Sequence, residues 1–220
     1  MIVASMSLEE KLAHVQSELR AVNNKFRDLI GTEEHAFKTD PGKRPRVVHR
    51  DYTSPKRIQW TVALRTTKRS SRLFLSAWWQ IQRVGIEAFV LHPDGAFYFD
   101  THFFQRYRIR ESEVEPSVDN LKTFLRTNYD ITMKHLTTQR FGLQEAAGVA
   151  VEGLFVGTVR PGNIIACDTF LSDEILFQDQ KQLQDQLRFH AATKEWSPVQ
   201  LKQYGEWLNE KIAELEALGL

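Results

Sequence analysis

The sequence predicts an α+β fold: an antiparallel β-meander core with flanking N- and C-terminal helices, the N-terminal helix having coiled-coil character. Three observations carry this. Residues 57–109 fall into successive alternating runs separated by turn-competent segments. Residues near both termini place apolar side chains at helical spacing. The 220 residues are 42% hydrophobic and 26% charged, the composition of a packed globular chain rather than a disordered or collagen-like one. The expected organisation is an N-terminal amphipathic helix (1–37), a basic sheet core with a short helix and a second hairpin (38–172), and a C-terminal helical segment (173–220).

The first helix runs from Ser7 to Ile30, with Leu8, Leu12, Val15, Leu19, Val22, Phe26 and Leu29 on a seven-residue repeat. Ser7 and Glu10 form a capping box, and Gly31 is the expected stop. So narrow a stripe calls for a partner helix, either the last helix of the same chain or a second copy in a homodimer. Pro41, Gly42 and Pro45 then break regular structure between Thr39 and Arg46.

Arg57 to Arg65 alternates, with Ile58, Trp60, Val62 and Leu64 on one face. Arg72 to Arg83 alternates with bulk on both sides. Ile86 to His92 and Ala96 to Ile109 are expected to form a hairpin around Pro93-Asp94-Gly95. Pro116 and Ser117 open a short helix with Val118, Leu121, Leu125 and Tyr129 on one stripe, while residues 130–147 fit either helix or strand. Val149 to Val159 and Ile164 to Phe170 flank a second turn at Pro161-Gly162. Asp173 to Ala192 is a helix with Leu176, Leu183 and Leu187 inward. Ser197-Pro198 caps a last helix through Leu201, Leu208, Ile212, Leu215 and Leu218.

Charge is distributed unevenly. The net +1 divides into −2 over residues 1–37, +10 over 38–110 and −7 over 111–220. Lys38 to Arg72 alone holds 11 basic residues against Asp40 and Asp51. Such clustering is the footprint of a polyanion partner, unless the acidic C-terminal half neutralises it. If the outward faces of the predicted strands lie together, Arg57, Arg65, Arg72, Arg106, Arg108 and Arg110 share a surface with Phe74 and Trp78. Arginines there would neutralise phosphates while the two rings stack on unpaired bases. Lys68, Arg69, Ser70 and Ser71 form the adjoining loop, with cations and hydroxyls suited to a phosphate backbone. Burial of Phe74 and Trp78 beneath a helix is the competing explanation.

The expectation is a non-enzymatic binder of single-stranded DNA or RNA. A homodimeric scaffold working through its terminal helices is the alternative, and a metal-dependent nuclease using Asp51, Glu87, Asp94 and Asp100 is a third. His92-Pro93-Asp94 resembles part of a two-histidine, one-carboxylate iron site that His102, His135 or His190 would complete, but a hairpin turn explains it sufficiently. Phosphate-loop, dinucleotide, zinc-protease and nucleophile-elbow motifs are missing, so no catalytic residue, metal or cofactor is assigned. The single Cys167 reads as a buried small hydrophobe and points to a reducing, intracellular compartment, cytoplasmic or nucleoid/nuclear. The start of the chain lacks a signal-peptide pattern, and no run is long enough for a membrane span.

Overall fold

The computed structural model describes residues 2–40, 45–81, 85–93, 95–111, 118–193, 199–200, 202–203 and 205–206. Among the described residues nine strands make one sheet: β1 (Arg46–Thr53), β2 (Gln59–Thr66), β3 (Ser71–Ile81), β4 (Gly85–His92), β5 (Gly95–Phe99), β6 (Thr132–Arg140), β7 (Leu143–Ala150), β8 (Gly153–Arg160) and β9 (Ile164–Ser172). Their order is β1-β2-β3-β4-β5-β9-β8-β7-β6, two antiparallel meanders joined by a parallel β5–β9 pair. Among the described residues it is accompanied by the α-helices α1 (Leu8–Gln16), α2 (Leu19–Thr39), α3 (Thr101–Glu111), α4 (Val118–Thr127) and α5 (Gln178–Thr193). The chain is α+β with a mostly antiparallel sheet. Among the described residues no helix is long and apolar enough to cross a membrane.

All seven residues of the N-terminal stripe are buried or half-buried, and among the described residues they pack against a sheet. Leu12, Val15, Val22 and Phe26 pack on Trp60, Val62, Leu75, Ala77 and Trp79 of β2 and β3, with Leu8, Leu19 and Leu29 alongside. The stripe's narrowness is met by the sheet's own bulk. The helix also breaks at Ser17, whose hydroxyl bonds back to the His14 carbonyl at 2.7 Å and loosens that turn. It then runs through Gly31, the expected stop, as far as Thr39. Gly31 is exposed and costs a helix only about 1 kcal/mol, and Phe37, buried further on, anchors the extra turns. Residues 41–44 of the predicted break, and nearly all of the predicted last helix, lie outside the described residues.

β1 was not legible because charged residues on an edge strand mask its alternation. β2 to β5 form the expected meander, but the chain turns into a helix at Asp100. The Asp100 carboxylate accepts from the Phe103 amide at 2.7 Å, an N-cap that ends β5 and starts α3. The ambiguous 130–147 region holds β6 and most of β7, which meet at a Phe141-Gly142 turn, and Val149 and Ala150 belong to β7 rather than to the Pro161-Gly162 hairpin. The helices cover both faces. Phe103, Phe104, Leu121, Phe124 and Leu125 from α3 and α4 pack with Trp78, Phe97, Phe99, Phe155 and Phe170. Leu187 of α5 and Leu176 just before it close over Ala147 and Leu154 on the opposite face.

Candidate nucleic-acid interface

The expected face forms in register. Gln59 pairs with Trp78, Ala63 with Phe74 and Arg65 with Arg72, so Arg65, Arg72, Phe74 and Trp78 share one side. That side is occupied. Trp78 is 6% exposed within the α4 cluster, and the Lys122 ammonium stands 5.8 Å from its ring centroid. Phe74 packs edge-on against Tyr129 at 5.0 Å. Arg65 reaches the Asp130 carboxylate at 3.5 Å, while Asp51 accepts from Arg126 at 2.8 Å and Lys122 at 3.2 Å. Trp78 is therefore core and Phe74 is half-buried against Tyr129, because a strand with large side chains on both faces gains most by covering both.

Arg106, Arg108 and Arg110 lie on α3, not on a strand. Arg106 Nη1 donates to the Asp168 carbonyl at 3.0 Å and to Thr169 Oγ1 at 2.9 Å, tying α3 to β9. The side chains of Arg108 and Arg110 lie outside the described residues. Arg57 is exposed in the β1–β2 turn with φ +64°, at the far end of the sheet from Lys68 and Arg69.

Strand order brings other cations together. Because β2 to β5 are antiparallel, and β5 runs parallel to β9, the β2–β3, β4–β5, β6–β7 and β8–β9 loops all lie at one end of the sheet. The C-terminus of α2 approaches the same end, where Glu34, Phe37 and Lys38 meet Thr66 to Ser71 around a cavity of about 320 Å³. Lys38, Arg46, Lys68, Arg69, Arg72 and Arg140 are exposed there, with Arg160 half-buried. The β2–β3 turn holds its own shape. Thr67 Oγ1 accepts from the Arg69 and Ser70 amides, each at 3.2 Å, so this loop offers an anion side chains rather than backbone N–H groups. Sequence reading found Lys68, Arg69 and Arg72 and placed Lys38 at the start of the basic run, but missed Arg140 and Arg160, whose convergence with them depends on the parallel β5–β9 pair. Local charge density carried no signal for those two.

The carboxylates expected of a nuclease do not converge. Glu87 is buried on the α1 side, accepting from Lys11 at 2.8 Å and from Trp79 Nε1 at 3.1 Å. Burial, reinforced by this carboxylate, pushes the neighbouring Tyr98 hydroxyl far above its ordinary range. Asp51 faces α4, Asp100 caps α3, and Asp94 lies outside the described residues. Among the described residues no three His, Cys, Asp or Glu side chains are placed to hold a metal ion. Cys167 is buried, which pushes its thiol up. Asp168, the extra residue of a bulge in β9, is raised by burial and opposed by Arg140. No protein-family model, no curated protein and no solved structure matches the chain.

Proposed function

We propose that the chain is a non-enzymatic nucleic-acid-binding protein that engages single-stranded DNA or RNA through the loop end of its sheet. One observation supports this above the rest: Lys38, Lys68 and Arg69 line the cavity where α2 meets the β2–β3 hairpin, with Glu34 as its acidic side chain, and Arg72 is exposed beside it on the opposite face of the sheet while Arg46 stands 3.9 Å from Glu33. Cations so arranged track a phosphate backbone and release its condensed counterions. The exposed hydroxyl of Ser70 and the half-buried Ser71 add donors of the kind that position phosphates without reading sequence. Among the described residues of the acidic C-terminal half, Asp130 takes Arg65, Asp168 takes Arg140 and Asp173 takes Arg188.

Fluorescence anisotropy with labelled oligo(dT) and oligo(rU) is the test. Micromolar or tighter binding is expected at low salt, with log affinity falling against log salt by about 0.7 per phosphate contact. Lys68→Ala with Arg69→Ala should weaken both oligonucleotides alike and flatten that slope by roughly two contacts' worth. Absence of binding at low salt would sink the reading, as would a double variant that binds like the unaltered protein.

A further inference from the structure

Phe141 is 90% exposed and occupies the first position of the two-residue turn between β6 and β7, with φ +53°, followed by Gly142 at +74°. That pair of left-handed conformations is the hairpin geometry that Asn-Gly fits at least cost, and a bulky aromatic is out of place in it. Phe141 therefore gains nothing from burial and gives up backbone comfort. Phe177 and Phe189, the other exposed phenylalanines among the described residues, lie just before and within α5. Phe141 instead stands at the sheet end that carries the cationic hairpins.

Its surroundings are built. The Arg140 guanidinium lies 5.5 Å from the ring centroid, with Nη1 3.8 Å from Asp168 Oδ2, which steadies the cation against the ring while most of the ring faces water. From β3 to β7 there are five strand spacings, about 24 Å along the sheet end, with Lys68, Arg69 and Arg72 at one limit and Arg140 and Phe141 at the other. We infer that Phe141 is the base-stacking residue of a single-stranded nucleic-acid site, with Arg140 as its cationic support and the β2–β3 hairpin holding phosphates further along the same strand. This rests on the nucleic-acid reading above and assigns to Phe141 the role that buried Trp78 does not fill.

The test uses the full chain, Phe141→Asn, and two probes of equal length and charge, oligo(dT) and an abasic oligonucleotide. Asparagine tolerates the left-handed conformation, so the variant removes the ring without straining the turn. Loss of one stacked base should weaken oligo(dT) binding by roughly 5- to 150-fold. The salt slope should be unchanged, Phe141→Trp should retain affinity, and abasic binding should be the same for the Phe141→Asn variant and the unaltered protein. Equal weakening on both probes would overturn the stacking role by showing that Phe141 only shapes the turn. Unchanged oligo(dT) affinity in Phe141→Asn, alongside a weakened Lys68→Ala, Arg69→Ala variant, would remove Phe141 from the site and leave the phosphate-binding reading standing. If the unaltered protein binds neither probe at low salt, both proposals fall together.

Discussion

In β2 to β5 the sheet itself supplies the bulk of the core, through Trp60, Trp78, Trp79, Phe89, Phe97 and Phe99. In β7 and β8 the strands are lined with Ala146, Ala147, Gly148, Ala150, Gly153 and Gly157, and large rings lie across them. A Cβ added at Gly148 would stand 2.1 Å from Phe155 Cζ, so that ring occupies the space a side chain would take. The first meander also buries charge, in the Lys11–Glu87 pair at 2.8 Å beneath α1, whereas the rings of the second pack against apolar neighbours from α3 and α4. The contrast teaches that one sheet can be filled by bulk on every strand or by a few rings laid across strands of small residues. The two choices differ in what they tolerate.

The largest effect is expected at the buried ion pair. Lys11→Met leaves the Glu87 carboxylate uncompensated and should cost about 3–5 kcal/mol in urea denaturation. Adding Glu87→Gln removes that charge and keeps an acceptor for Trp79 Nε1, so most of the loss should return. A double variant no more stable than Lys11→Met would show that charge burial is not what distinguishes this meander.

Next comes the small-residue meander. Gly148→Ala should destabilise by roughly 1–3 kcal/mol, because a rigid ring has to move to admit the methyl group. Phe155→Leu in the same chain should recover part of that loss, although it is destabilising alone, giving a coupling energy in a double-mutant cycle. Additive losses would break the comparison, since the glycine would then matter only for its backbone.

The smallest effect is a pH dependence in β1. Burial, with Arg126 beside it, holds the His49 imidazole below its ordinary value of 6.5, and its Nδ1 is buried without a hydrogen-bond partner among the described residues. The unfolded chain then takes up this proton at higher pH than the folded one. Stability from neutral His49 is complete above about pH 6.5 and is lost as pH falls through the lower folded value. Thermal melts in that window should fall less steeply for His49→Gln. An identical slope would assign the acid sensitivity to other groups.

The sequence by itself determined which faces are apolar. The stripe from Leu8 to Leu29, the alternation from Ile58 through Trp79, the shared side of Arg65, Arg72, Phe74 and Trp78, and the Pro161-Gly162 turn are all present as read. Periodicity is a local property, and burial enforces it. What covers each face is not local. The tertiary structure decided that a heptad-like stripe meets a sheet, that α4 lies over Trp78 and Tyr129 beyond it over Phe74, and that Asp100 turns the chain into α3. Each outcome depends on contacts between residues far apart in the chain: Val22 with the β2–β3 face, Lys122 with Trp78, Arg106 with Asp168 and Thr169. The candidate site divides in the same way. Lys68 and Arg69 stood out as charge density in one loop, but they meet Lys38 only through the packing of α2 on β2, and share a sheet end with Arg140 and Phe141 only because β5 and β9 run parallel and set four loops there. A strand pairing across 68 residues, from Ala96 to Ile164, leaves no periodic trace in either segment.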